Sequence, residues 1–399
     1  MRNARDETLP GWTYDNAEFF ALEREHLLLS SWTLAGHRSD LRAPGDFLSV
    51  ESCGERGLVV LGEDGKLNGF YNTCRHRAHA LVSTESGNCG HAIRCPYHGW
   101  SYNFDGSLRA IAAEKTFPAI DKAEFGLRPI EVEEFLGFVF VRFNAPLDSR
   151  GGPNGGLSVA ERFAPYRAEM EAYRTAEMVS RGTGWFCDIA VDWKNLIDNY
   201  LEGYHVPTGH PGLQRMFGSS YTAEAQPTNV SRQVGIVRDK LSENWSERMY
   251  QRVAPQPEHL PEGRRRAWCY YTLLPNVALD FYPEKVASFE VLPMGPGKCR
   301  LRARRWILPD PDRRHRAAHY LNFRINSQVQ REDEELVASV QQGLKSRGYS
   351  FGIFSEKEAA LRQLHEMVRR TLPVARLAEP PEPGTLAAVN AKLHRDLAA

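Results

Sequence analysis

The chain has 399 residues, about two to three times the ~100–200 residues of one domain, which excludes a single small module. Its 42% apolar content is enough to build cores and excludes general disorder. Fifty Lys and Arg balance fifty Asp and Glu with no basic block, so nucleic acid and anionic membranes have no electrostatic footing as partners, and a small molecule or another protein is expected.

The opening Met-Arg-Asn-Ala-Arg-Asp-Glu-Thr-Leu-Pro lacks the apolar core of a secretory signal, so a cytoplasmic location is expected. Residues 1–44 read as an N-terminal helical segment packing on the larger second domain, with helix-like spacing over 12–35. Residues 45–147 change to short β-rich runs separated by turn dipeptides; Asp105-Gly106 between Ser101–Phe104 and Ser107–Ile111 signs a hairpin. The apolar run from Phe135 to Phe143 falls short of the ~18 residues that span a bilayer and reads as a buried strand. The Gly/Pro-rich stretch 148–156 is a linker.

Residues 157–375 read as a second, α+β domain. Helices are expected over 157–173, 193–204 and 315–345, with a strand-like run over 177–189 and β-rich segments over 232–306. Residues 376–399 form a Pro-rich tail with a short helix.

Seven cysteines, an odd number thinly spread, argue against a disulfide framework and for metal ligation where they meet histidine. They do so at Cys74-Arg-His76 and at Cys95-Pro-Tyr-His98-Gly-Trp100. Each pair is mixed, whereas zinc fingers put both cysteines in one pair and both histidines in the other, on a helix. Two thiolates and two imidazoles in a β context point instead to a Rieske [2Fe–2S] centre. His79, His91 and Cys89 lie nearby but outside the tight pairs.

The second constellation runs from Asp192 to Pro211. On a helix Asp198, Glu202 and His205 share one face, Pro207 ends that helix, and Gly209 lets the chain turn so that His210 swings back toward His205. Two imidazoles need a carboxylate to complete a 2-His-1-carboxylate iron site, and Glu332-Asp-Glu-Glu335 offers four. At 100° per residue, Leu336, Val337, Val340 and Leu344 fall within about 60° of Asp333 while the three glutamates fall about 100° or more away, so Asp333 faces the core.

In this order the strings resemble the catalytic (alpha) subunits of Rieske-type non-haem iron oxygenases, over nearly the whole chain from Leu9-Pro-Gly-Trp-Thr-Tyr to Glu332–Leu344. The resemblance implies an all-β Rieske domain followed by a helix-grip catalytic domain, an antiparallel sheet around a long helix. It implies that Cys74 and Cys95 hold one iron of the cluster and His76 and His98 the other, and that His205, His210 and Asp333 hold a mononuclear Fe(II). The family's bridging carboxylate falls on Glu202, which would join a cluster histidine of one subunit to an iron histidine of the next in a homotrimer. NAD(P)H would supply electrons through a separate flavin- or ferredoxin-type reductase, since the chain has no GxGxxG motif after a strand. The activity implied is that of an oxidoreductase using O2.

Glu202, the Gly203–Gly212 string and the chain length are most similar to the subgroup acting on methylated ammonium compounds, such as stachydrine demethylase and glycine betaine, carnitine and choline monooxygenases. Monooxygenation or oxidative N-demethylation of a quaternary ammonium or betaine substrate is therefore expected. Its pocket would use aromatic faces, with candidates at Trp185, Phe186, Tyr200, Tyr204, Trp268, Tyr270, Tyr271, Phe281 and Tyr282. The alternatives are ring hydroxylation by a dioxygenase or O-demethylation of an aromatic acid, and, from another class, a Rieske electron carrier or redox sensor.

Overall fold

The computed structural model describes residues 6–144, 156–182 and 184–398; the linker expected over 148–156 falls outside them except for Gly156. Asn16 caps the first helix, α1 (Ala17–Glu23), which runs on into one π-helical turn, Arg24–Leu28. The helix-like spacing stops there because the next segment is needed as a strand, β1 (Thr33–His37), with every residue buried.

The following block is built of β2 (Asp46–Ser52), β3 (Glu55–Leu61), β4 (Leu67–Tyr71), β5 (Ser86–Asn88), β6 (Ile93–Arg94), β7 (Ser101–Tyr102), β8 (Leu108–Ala110), β9 (Glu131–Phe135) and β10 (Phe138–Arg142). They form sheets of order β4-β3-β2-β5, β6-β7-β8 and β1-β10-β9. The apolar run over 135–143 is thus one complete strand and the end of another: Leu136-Gly137, both at positive φ (52° and 86°), is a two-residue hairpin turn between β9 and β10. One apolar cluster of this block contains Cys74, Cys95, Trp100 and Tyr102, so the ligand candidates sit on core residues.

After the linker, Ser158 closes a capping box on α2 (Val159–Phe163), and Pro165 divides the expected 157–173 helix, leaving α3 (Arg167–Glu171) beyond a 3-10 turn. Then come β11 (Val179–Ser180), β12 (Trp185–Ile189), α4 (Trp193–Tyr200), α5 (Val206–Gly209), α6 (Pro211–Phe217), β13 (Thr222–Gln226), β14 (Val230–Ile236) and α7 (Trp245–Val253). Strands β15 (Ala267–Leu273), β16 (Val277–Tyr282), β17 (Lys285–Gly295), β18 (Lys298–Ala303) and β19 (Arg305–Ile307) precede the 31-residue α8 (Arg313–Gly343), α9 (Ala359–Thr371) and α10 (Leu386–Ala398). The nine strands form one antiparallel sheet, order β11-β19-β17-β16-β15-β14-β13, with β18 joining β12 to β17.

Period-2 alternation divides this sheet's side chains. Tyr271, Leu279, Phe281 and Val286 pack behind it with Trp306 and Phe138. Tyr270 and Tyr282 point the other way, where Leu321 and Ile325 of α8 meet them. Helix and sheet thereby enclose a space between them, the helix-grip architecture.

Candidate active site and metal centres

The two Cys–His strings fold as two copies of one turn. Cys74 N donates to the His79 carbonyl (2.8 Å) and Ala78 N to the Cys74 carbonyl (3.0 Å); Cys95 N donates to the Trp100 carbonyl (2.8 Å) and Gly99 N to the Cys95 carbonyl (3.0 Å). The fourth residue after each cysteine is left-handed, Ala78 at φ 57° and Gly99 at φ 73°. The loops bring His76 and His98 edge to face, ring centroids 4.7 Å apart, and His76 stacks on Trp100 at 5.0 Å. Both thiols are free and buried. His76 Nδ1 is buried with no hydrogen-bond partner, the condition expected of a ligand atom aimed at a group it binds. These four residues therefore fit a Cys2His2-ligated iron–sulfur cluster. The hydroxyl of Tyr102, which sequence reasoning missed, accepts from Arg75 N (3.0 Å), leaving its own hydrogen for Cys74 Sγ at 3.3 Å. His79, by contrast, is exposed and bonds the Ala80 carbonyl.

The second site departs from the expected continuous helix. α4 stops at Tyr200, and residues 201–205 form a turn in which a Cβ on Gly203 would lie 2.2 Å from the Tyr221 ring. Pro207 does not end a helix; it sits in the first turn of the four-residue α5, where its missing N–H costs nothing. His205 and His210 are the two cap residues of α5, and Pro211 opens α6. Gly209 is helical, and its need is space: a Cβ there would meet Leu336 at 3.0 Å and His205 at 3.3 Å.

His205 Nε2 lies 3.1 Å from His210 Nε2, and Asp333 Oδ1 lies 3.0 Å from His210 Nε2 and 3.8 Å from His205 Nε2. One ligand atom from each of the three falls within 4.8 Å of the others. The outer ring nitrogens are occupied: His205 Nδ1 bonds Glu202 Oε1, and His210 Nδ1 bonds Glu332 Oε2 at 2.9 Å. With Nδ1–H facing a carboxylate, each Nε2 is a lone-pair atom. Three possible donor atoms for a metal therefore converge, His210 Nε2 lying within hydrogen-bond distance of Asp333 Oδ1. The donor set fits a 2-His-1-carboxylate iron.

Two parts of the helix reasoning need correction. Asp198 is not part of this stripe: its carboxylate accepts from Tyr14 OH (2.7 Å) and pairs with His365 Nε2 (3.0 Å), because α4 ends before Glu202. Asp333 does reach the site, but Leu336 and Val340 are 38% and 49% exposed, so the buried face of α8 is turned toward Val337 and Gln341. Glu332 lies on the same half-exposed face as Leu336 and Val340, one and two turns before them, and reaches His210 from there.

A cavity of about 680 Å³ opens beside the triad. Of the aromatic candidates, Trp185, Tyr200, Tyr270 and Tyr282 line it; Phe186, Tyr204, Trp268, Tyr271 and Phe281 do not, and Tyr221, Phe289 and Phe323 were missed. Strand parity was the available signal, since it separates Tyr270 and Tyr282 from Tyr271 and Phe281. The wall also carries Asp280, pushed by burial up to about 6, and Lys285, pushed by burial down to about 8.

Two family models match the chain: the Rieske [2Fe–2S] domain over residues 31–124 and the ring hydroxylating alpha subunit catalytic domain over residues 176–373. The carnitine monooxygenase oxygenase subunit of Escherichia coli (strain K12) is 29% identical over 355 residues, 86% of this chain and 85% of that protein. The chloroplastic choline monooxygenase of Spinacia oleracea is 28% identical over 374 residues, 92% of this chain and 78% of that protein. In fold, the quaternary ammonium Rieske monooxygenase CntA in complex with L-carnitine superposes with a TM-score of 0.74 at 23% identity, covering 92% of this chain and 96% of that one. Naphthalene 1,2-dioxygenase from Rhodococcus sp. gives 0.71 at 20% identity, covering 94% and 95%. The cofactors of the two matched domains are a Rieske cluster and a mononuclear iron. The chain belongs to the Rieske-type ring-hydroxylating oxygenase alpha subunits.

Proposed function

We propose that the protein is the oxygenase subunit of a two-component monooxygenase that hydroxylates a carbon bound to the nitrogen of a quaternary ammonium compound. The observation that carries this reading is the shared cavity: His205, His210 and Asp333 line the same space as Tyr200, Tyr221, Tyr270, Tyr282 and Phe289. A quaternary ammonium cannot be hydrogen-bonded, and aromatic faces hold it at about 0.5–2 kcal/mol per ring.

Cys74, Cys95, His76 and His98 hold the cluster in this reading, and His205, His210 and Asp333 hold the iron. The iron, supplied with electrons through the cluster, provides the chemistry of O2 reduction. Overall, O2, two electrons and two protons give one hydroxyl on the substrate and one water. Hydroxylation of an N-methyl group yields a hemiaminal, whose C–N bond then breaks to release formaldehyde and the shorter amine. The chain's own part is to bind and orient. Glu202 and Glu332 fix the tautomers of His205 and His210, and the aromatic wall keeps water from the ammonium.

Electrons come from NAD(P)H through a separate reductase, and Glu202 serves as the bridge between subunits of a homotrimer. Large side chains left exposed beside the metal sites support the second point, Tyr97 and Tyr204 at 52% and 59% and Leu336 and Val340 on α8, since a neighbouring copy would cover them. The test combines the protein with a surrogate reductase and follows NADH oxidation, O2 uptake and formaldehyde release. Substrate-dependent formaldehyde from an N-methylated betaine is expected. Product formation from aromatic acids with no turnover of any ammonium compound would overturn the reading.

A further inference from the structure

The cavity has a second charged feature that holding an ammonium group does not use. Lys285, the first residue of β17, is only 9% exposed and lines the cavity. Its ammonium lies over the Tyr282 ring, 5.0 Å from the centroid, and among the described residues it makes no hydrogen bond and no ion pair. The acids around it are engaged elsewhere. Asp280 accepts from the hydroxyls of Tyr200 (2.5 Å) and Tyr282 (3.4 Å), and Glu284 accepts from Tyr250 (2.9 Å).

Neighbouring arginines add to the positive charge. Arg305, in register with Ala287 two residues along β17, also lines the cavity, and its Nε donates to a neutral carbonyl, that of Arg181, at 3.1 Å. Glu284 and Asp280 act on this cation only at a distance and offset part of its desolvation cost; a bound anion in direct contact would offset more. Burial lowers the Lys285 ammonium to about 8, so it is still charged at neutral pH and ready to take that anion.

We propose that Lys285 is a specificity-determining residue that receives a carboxylate carried by the substrate, so that the preferred substrate is a zwitterion with separated ammonium and carboxylate groups. This rests on the ammonium reading of the same cavity. A substrate with a neutral tail would leave Lys285 unpaired when it displaced the cavity water, and specificity against such molecules follows from that penalty.

The test is calorimetric titration of the iron-loaded, full-length protein under nitrogen without reductase, so that binding is read apart from turnover. Three probes are used: γ-butyrobetaine, its methyl ester, and hexanoate, which keeps the carboxylate and lacks the ammonium. The native protein should bind the acid at least about tenfold tighter than the ester, the scale of one charge-assisted hydrogen bond. Lys285→Met should abolish the preference, weakening the acid and leaving the ester no weaker than in the native protein, while Lys285→Arg restores part of the preference; thermal melts establish that both variants fold. Equal binding of acid and ester to the native protein overturns the proposal, as does an equal loss for both in Lys285→Met. If acid and ester both fail to bind but hexanoate binds the native protein and not Lys285→Met, the anion site stands and the ammonium reading falls. If no probe distinguishes native protein from Lys285→Met, the anion site falls.

Discussion

Glu332 provides a sharp test of how the iron site is held. Its Oε2 accepts from His210 Nδ1 at 2.9 Å, its Oε1 accepts from Gln328 Nε2 at 3.0 Å, and His210 itself is 2% exposed. Glu332→Ala would leave a buried imidazole N–H without its acceptor, a loss of about 1–3 kcal/mol. Partners that orient metal-bound histidines contribute about 10–100-fold to affinity, the same range in other terms. Because the Glu332 side chain is 23% exposed, water can partly replace it, and the effect should sit near the lower end, about tenfold in Fe(II) affinity. Glu332→Gln keeps an acceptor oxygen and should retain most of the affinity. Asp333→Ala removes a ligand atom and should abolish tight binding. The assay is chelator competition for Fe(II), with the visible absorbance of the Rieske cluster as an internal control for folding. Native affinity in Glu332→Ala would refute the orienting role, and a complete loss with Asp333→Ala spared would show Glu332 to be the ligand.

Gly203→Ala places a Cβ 2.2 Å from the Tyr221 ring, so that ring must leave the cavity wall; a cost of about 1–3 kcal/mol in a thermal melt and weaker ammonium binding should appear together. Lys194 is fully buried between Glu23 (2.8 Å) and Asp192 (2.7 Å), and Lys194→Met, which strands two carboxylates, should cost roughly 3–5 kcal/mol in denaturant melts. Receiving a carboxylate needs Lys285 charged, which fails as pH rises through about 8; the affinity for a zwitterion by titration should therefore hold below that value and drop above it. Tyr102→Phe removes the hydrogen bond to Cys74 Sγ, a cluster thiolate in the proposed reading, and should lower the cluster's reduction potential by roughly 40 mV, the equivalent of about 1 kcal/mol in a one-electron step.

The sequence made the chemistry legible and the support around it less so. Cys74-Arg-His76 and Cys95-Pro-Tyr-His98 could be paired because each cysteine and histidine share one short turn, and short-range geometry is what spacing encodes. His205 and His210 were readable for the same reason. Glu332 was not, because a wheel centred on Asp333 sets it about 100° off the apolar face, whereas the site meets α8 at the edge of its buried face, where Glu332 and Asp333 both reach His210. Asp280, Lys285 and Phe289 come together only through the register of β15, β16 and β17, a long-range property. The β1 strand was hidden for a related reason: its partner, β10, lies a hundred residues further along.

That long-range framework also explains how three candidate ligand atoms from two distant segments keep their spacing. Asn195 on α4 donates Nδ2 to the Val337 carbonyl of α8 at 2.8 Å, one helical turn beyond Asp333. Gln341, one turn further, accepts from Asp192 N at 2.8 Å and from Asn195 Nδ2 at 3.2 Å. All of these groups are buried, so a slip of α8 by one turn, about 5.4 Å along its axis, would leave several of them unpaired. From behind, Asp198 ties the same α4 to Tyr14 and His365, and Leu9 N donates to His365 Nδ1 at 2.9 Å, so the amino-terminal segment is part of the scaffold. The polar groups of the Asp192–Asp198 string that take no part in the chemistry thus fix α4 against α8 in axial register, and that register sets whether Asp333 stands 3.0 Å from His210 or a full turn away.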